Sequence, residues 1–131
     1  MKIVLQNKEL EIEHFERDGK RIAEVSSKVM LISDLETGTA LLVDIYYQGF
    51  DKIILDEKNI CTEFFDLKSG FAGEILQTVS NFRLELAVKG DYSKYSSKSL
   101  KSFMSESNQL GQISFIDLTS DQVDSTNETI A

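Results

Sequence analysis

The apolar residues of this chain switch between a spacing of two and a spacing near 3.6, and that alternation restricts the fold more than any single motif. Leu10-Glu11-Ile12-Glu13-His14-Phe15-Glu16 alternates apolar and polar, as a strand with one buried face requires. Asp18-Gly19 follows and suits the positive φ angles of a two-residue hairpin turn. Arg21-Ile22-Ala23-Glu24-Val25 is the return strand, so an antiparallel hairpin is expected. Past the short apolar run Val29-Met30-Leu31-Ile32, Ser33 or Asp34 can cap a helix by accepting a bond from a free amide. Leu35, Leu42, Ile45, Tyr46 and Gly49 then fall at helical spacing, and Gly49 suits a left-handed C-terminal cap. Lys52-Ile53-Ile54-Leu55-Asp56 reads as a buried strand. Phe71, Ala72, Ile75, Leu76, Val79 and Phe82 form one helical stripe. Leu84-Glu85-Leu86-Ala87-Val88 is a further strand. Leu100, Phe103 and Met104 mark a third helix, and Gln112-Ile113-Ser114-Phe115-Ile116 a last strand.

The order is therefore hairpin, helix, strand, helix, strand, helix, strand. Strands joined through helices run parallel with right-handed crossovers. The expected fold is a single α/β domain with a mixed, mostly parallel sheet, an N-terminal antiparallel hairpin and helices packed on it. The 131 residues suffice for one domain with a real core. That domain is taken as 1–131, with 1–8 and 124–131 as frayed ends, although Thr119-Ser120-Asp121-Gln122 has the form of a capping box. Sites in such sheets collect at the carboxyl ends of the strands. Asp56, Glu57, Asp66, Ser69, Asp91 and the loop 93–97 are expected at that one edge.

Charge narrows the functional classes. A formal net charge of −8 opposes general nucleic-acid binding, and the acids are scattered in the manner of a solvated surface. The single cysteine, Cys61, permits no internal disulfide and reads as a buried thiol. No apolar run reaches transmembrane length, and the first residues are too polar for a signal peptide. The chain reads as cytoplasmic, with no membrane and no nucleic-acid partner.

Phe64-Phe65-Asp66-Leu67-Lys68-Ser69-Gly70-Phe71-Ala72-Gly73-Glu74-Ile75-Leu76 is the most specific stretch. It sets the hydroxyl of Ser69 between an acid and a glycine at a helix start, where it can cap the helix or carry a phosphate. Gly70 and Gly73 suggest a close backbone approach. Asp56, Glu57, Asp66 and Asp91 read as caps and solvated acids, with no metal site. Residues 89–101 hold Lys89, Lys94, Lys98 and Lys101 against one acid, Asp91. Ser93, Lys94, Ser96, Ser97 and Lys98, at a loop and helix start, form a candidate anion site. Tyr46-Tyr47 and Phe64-Phe65 read mainly as core, with one member of each free for a partner surface. His14 is the only histidine, faces the sheet by its place in the alternation, and leaves no second histidine for a triad or a metal cluster. No catalytic residue is assigned.

The run from Lys52 to Asp117 resembles a STAS domain, the fold of anti-sigma-factor antagonists and of the cytosolic tails of sulfate transporters. In that family a strand leads to an aspartate, a phosphorylatable serine or threonine, and a glycine opening a helix. Asp66, Ser69 and Gly70 match those positions, while Lys68 stands where the family generally has a second serine. Most of the chain resembles the bacterial domain of unknown function 4180. That resemblance rests on Tyr46-Tyr47-Gln48-Gly49, the segment from Phe64 to Gly70, Gly73-Glu74-Ile75-Leu76-Gln77, Gly90-Asp91-Tyr92-Ser93-Lys94-Tyr95-Ser96-Ser97-Lys98-Ser99-Leu100 and Glu106-Ser107-Asn108. It implies no particular activity. The leading expectation is a non-enzymatic regulatory module without cofactor. It would bind a protein partner through a surface of Asp66, Lys68 and Gly70, switched at Ser69, with a homodimer also allowed. The alternative is a small-anion or nucleotide binder using residues 93–98.

Overall fold

A computed structural model describes residues 1–118. The capping box at 119–122 and the frayed end at 124–131 lie outside the described residues. Strands β1 (Lys2–Leu5), β2 (Lys8–Arg17) and β3 (Lys20–Ser26) form an antiparallel meander. Helix α1 (Leu35–Tyr47), β4 (Lys52–Asp56), α2 (Phe71–Asn81), β5 (Glu85–Gly90), α3 (Lys98–Leu110) and β6 (Ile113–Asp117) follow in turn. The six strands lie side by side in chain order, and β3 to β6 are mutually parallel. Each crossover steps one strand in the same direction, so right-handed connections place all three helices on one face. The mixed α/β domain expected from the alternation is the one observed.

Local chemistry sets the boundaries. Asp18 (φ 55°) and Gly19 (φ 78°) form the hairpin turn between Arg17 and Lys20. Asp34 accepts a bond from the Thr37 amide at 2.8 Å, and Thr37 Oγ1 accepts one from the Asp34 amide at 3.1 Å, a reciprocal cap. Gly49 ends α1 at φ 95°. The first residues, expected as a frayed end, include a short strand. Lys2–Leu5 is an edge strand because Ile3 and Leu5 lean on the core and the turn at Gln6-Asn7 accepts positive φ (54° and 62°).

Ile53, Leu55, Leu86, Val88, Ile12 and Val25 meet Leu42 and Ile45 of α1, Ile75 and Val79 of α2, and Leu100 and Met104 of α3 in one buried core. Truncating one of these large side chains to alanine costs about 2–5 kcal/mol. The opposite sheet face is covered by charge. Ile22, Ile54 and Ala87 form a short apolar stripe there. Two ion pairs cross it, Lys20–Glu85 and Lys89–Glu24, the second at 2.7 Å. Each joins β3 to β5 over β4, laying lysine stems on apolar surface. Burial lowers the pKa of Lys52 on the same face, and the charges of Lys20 and Arg17 add to the effect. No helix among the described residues is long and apolar enough to cross a membrane.

Candidate functional site

The carboxyl ends of β4 and β5 release two loops, 57–70 and 91–97. The first is three 3-10 turns in succession, Glu57–Asn59, Thr62–Phe65 and Leu67–Ser69. Acids set the starts of the first and the third. Asp56 accepts from the Lys58 amide at 2.9 Å and Asp66 from the Lys68 amide at 3.1 Å. Buried Asn59 anchors the loop by donating to the carbonyls of Ser27 (3.0 Å) and Val29 (2.9 Å).

Ser69 ends the third turn. Its Oγ lies 2.7 Å from the carbonyls of both Glu63 and Asp66, either of which can take its proton, and accepts from the Phe71 amide at 3.1 Å. One exposed hydroxyl thus ties the second turn, the third turn and the first amide of α2. The position that caps α2 is Gly70, in the left-handed region at φ 75°, so Ser69 is one residue ahead of the expected cap. Neither Gly70 nor Gly73 has anything near the place a Cβ would occupy. The expected close approach is therefore absent, and Gly70 is required by its φ alone. Asp66, Leu67, Lys68, Ser69 and Gly70 form an exposed patch.

The second loop is organised by an acid that the sequence reading counted among caps and solvated residues. Glu57 has a side chain only 5% exposed. Its Oε1 accepts from Lys94 Nζ at 2.7 Å and from the Asp91 amide at 3.3 Å. Gly90 makes the room: a Cβ there would lie 2.8 Å from Glu57 Cδ. Burial depends on a partner, since a carboxylate removed from water needs compensating donors. The bond to Glu57 raises the pKa of Lys94. Asp91 accepts from the amide (3.0 Å) and hydroxyl (2.5 Å) of Ser93. Those bonds, the hydroxyl's first, lower the Asp91 pKa. Ser97 caps α3 by accepting from the Leu100 amide at 3.2 Å, while Ser96 and Lys98 are exposed. Of the expected anion-binding groups, Ser93 and Lys94 are thus brought against acids, Ser97 serves the helix, and Ser96 and Lys98 face solvent.

Aromatic rings join the two loops. Phe65 stacks on Tyr95 with centroids 5.4 Å apart and lies 6.1 Å from Tyr92. Tyr92 donates to the Val88 carbonyl at 2.6 Å. Burial, then the charge of Glu57, raises the pKa of both tyrosines. Phe64 and Phe65 are both buried, whereas Tyr47 is 76% exposed, so only the Tyr46-Tyr47 pair offers an exposed ring. Cys61 is buried. His14 lies on the helix side of β2 with its ring 6.2 Å from Phe50 and remains exposed. Among the described residues no three His, Cys, Asp or Glu side chains are grouped so as to hold a metal ion.

The sequence signal for the buried acid was the Asp56-Glu57 pair facing Gly90-Asp91 at the end of the next strand: one acid caps, its neighbour turns inward, and glycine admits it.

Together these features define a small mixed α/β domain whose strand-end loops are knitted by one serine and one buried glutamate. The chain belongs to the family described as a domain of unknown function (DUF4180), whose model matches residues 17–125. No curated protein and no solved structure matches it.

Proposed function

We propose that this domain is a STAS-like, non-enzymatic cytoplasmic regulatory module that binds a protein partner through the patch Asp66, Leu67, Lys68, Ser69 and Gly70, and that phosphorylation of Ser69 switches it. The observation that supports this reading is the triple role of Ser69 Oγ, exposed yet bonded to Glu63, Asp66 and Phe71. A phosphoester has no hydroxyl proton to donate and brings about −1.5 to −2 charges. The N-terminus of α2 tolerates that charge by roughly 0.3–1 kcal/mol. Two carbonyl oxygens and the Asp66 carboxylate oppose it. Modification would therefore refold the turn that forms the patch, and the phosphate would oppose an interface by repulsion and desolvation.

The anion-binding alternative has less support, because Lys94 is held by Glu57 and Ser93 by Asp91. An anion would first have to displace those bonds.

The test is recovery of the native partner from lysate, intact-mass measurement of the recovered chain, and binding by Ser69→Ala and Ser69→Glu. The expected outcome is near-parental affinity for Ser69→Ala and at least tenfold weaker binding for Ser69→Glu. If both variants bind as the parent does, the switch is refuted. A thermal shift with phosphate or nucleotides that disappears in Lys94→Ala would favour the alternative.

A further inference from the structure

The two edges of the sheet are finished differently. In β6 the Gln112 carbonyl bonds the Leu86 amide and the Leu118 amide bonds the Gly90 carbonyl. Even-numbered residues therefore face β5, and the backbone groups of Ile113, Phe115 and Asp117 point outward. α3 closes this edge with side chains. Ser107 Oγ donates to the Ile113 carbonyl. Asn108 accepts from the Phe115 amide at 2.6 Å and donates to the Phe115 carbonyl at 3.3 Å. A carboxamide that both accepts and donates stands in for the peptide of a neighbouring strand. This is what Ser107 and Asn108 do in the fold, and it blocks strand addition on that side.

Among the described residues, edge β1 has no such device. The amide of Ile12 bonds the Met1 carbonyl at 2.8 Å, and Ile3 and Leu5 stand opposite Leu10 and Lys8. Residues 1, 3 and 5 therefore face β2, and the N–H and C=O of Lys2 and Val4 point outward. Among the described residues nothing pairs with them. Val4 is 64% exposed. The same flank carries a shallow groove on α1 lined by Leu35, Glu36, Thr39, Ala40 and Val43. It ends at Asp44, which accepts from Gln6 just after β1 at 3.1 Å. That bond is the contact that joins the end of the edge strand to the end of the groove.

We propose that this surface is a homodimer interface, in which β1 pairs antiparallel with β1 of a second copy about a two-fold axis through Ile3. That register exchanges backbone bonds between Lys2 of each copy and Val4 of the other, about four in all. It continues the six-stranded sheet into its symmetry mate. The axis is normal to the sheet, so both helix layers stay on one side and the α1 grooves adjoin across it. Charge selects a copy of this chain as occupant. Lys2 stands opposite Glu11 and Val4 opposite Glu9 within one sheet, so across the axis Lys2 lies between Glu11 of its own chain and, two strands away past Val4, Glu9 of the other copy. Lys20–Glu85 and Lys89–Glu24 already span two strands in this way. The strand pair thus carries an ion pair at each end, with no like charges directly opposed within it.

The experiment is sedimentation of the full chain over a concentration series. The parent should move from 14.8 kDa to twice that mass. Val4→Pro removes an outward N–H without touching the β1–β2 ladder, since proline is tolerated on an edge where its nitrogen faces solvent, and should leave a monomer with an unchanged circular dichroism spectrum. Lys2→Glu should weaken dimerisation at least tenfold, and Lys2→Glu with Glu9→Lys should restore it. A parent chain that remains monomeric at about 1 mM overturns the proposal. So does a Val4→Pro chain that folds and dimerises as tightly as the parent. If Val4→Pro fails to fold, the charge swap decides: a Lys2→Glu chain with parental affinity overturns the proposed pairing.

Discussion

Lys94 fastens the 91–97 loop to the strand edge, and Lys94→Met isolates that role. Methionine keeps an unbranched apolar stem and removes the ammonium group. Glu57, 5% exposed, would keep the Asp91 amide at 3.3 Å and the Tyr95 hydroxyl but no cation. Exposed ion pairs contribute about 0.2–1 kcal/mol, and breaking a fully buried pair costs about 3–5 kcal/mol. Lys94 is 53% exposed and its partner is buried, so the loss should lie between these limits, at about 1–2.5 kcal/mol. Urea unfolding at neutral pH measures it directly. In a Glu57→Gln background the buried charge is gone, and the same substitution should cost less than about 0.5 kcal/mol.

The pH dependence follows from the raised pKa of Lys94. Its folded-state value lies above the ordinary 10.5. The contribution is therefore complete below 10.5 and is lost as pH rises through the folded-state value. The difference between parent and Lys94→Met should be flat from about pH 6 to pH 9 and close above that. A difference below about 0.3 kcal/mol at neutral pH, or one that persists undiminished beside Gln at position 57, would refute the strap.

Three further substitutions test the surrounding structure. Gly90→Ala forces a Cβ against the Glu57 side chain and should cost about 1–3 kcal/mol in urea unfolding, with partial recovery when Glu57→Ala is added. Gly70→Ala should cost about 1–2 kcal/mol because of its positive φ, and Gly70→Asn less; equal losses would point to packing instead of backbone conformation. Asn108→Ala should cost about 1–2 kcal/mol for two lost bonds and should speed amide exchange at Phe115.

The fold was legible because each element carried its own period and punctuation. Asp18-Gly19, Asp34 and Gly49 each did what their chemistry allows, and the strand-helix alternation left one reasonable topology. β1 was missed because a four-residue edge strand has too few alternations to stand out, and its pairing depends on the Gln6-Asn7 turn. The site was only partly legible. Sequence placed Ser69 and the 91–97 loop after the ends of neighbouring strands, but not that Glu57 turns inward, since burial of an acid depends on a lysine 37 residues away. Periodicity likewise cannot show that Asn108 caps an edge, because its partner is the backbone of another element.

The two strand-end loops are mechanically linked if the stack of Phe65 on Tyr95 bears load. Ser69 closes the turn that follows Phe65, and its bond to the Glu63 carbonyl reaches back across that residue. Replacing the hydroxyl with a carboxylate in Ser69→Glu removes the donor at both carbonyls, so the turn must adjust. Phe65 can hold its buried position only by straining the turn, or it can shift and loosen Tyr95. Native-state hydrogen exchange distinguishes these cases. Coupling through the ring stack requires faster exchange in 91–97 as well as in 62–70, and the same spread in reverse for Lys94→Met. Acceleration confined to 62–70 would show that the aromatic contact transmits nothing, leaving any effect of Ser69 modification on the patch itself.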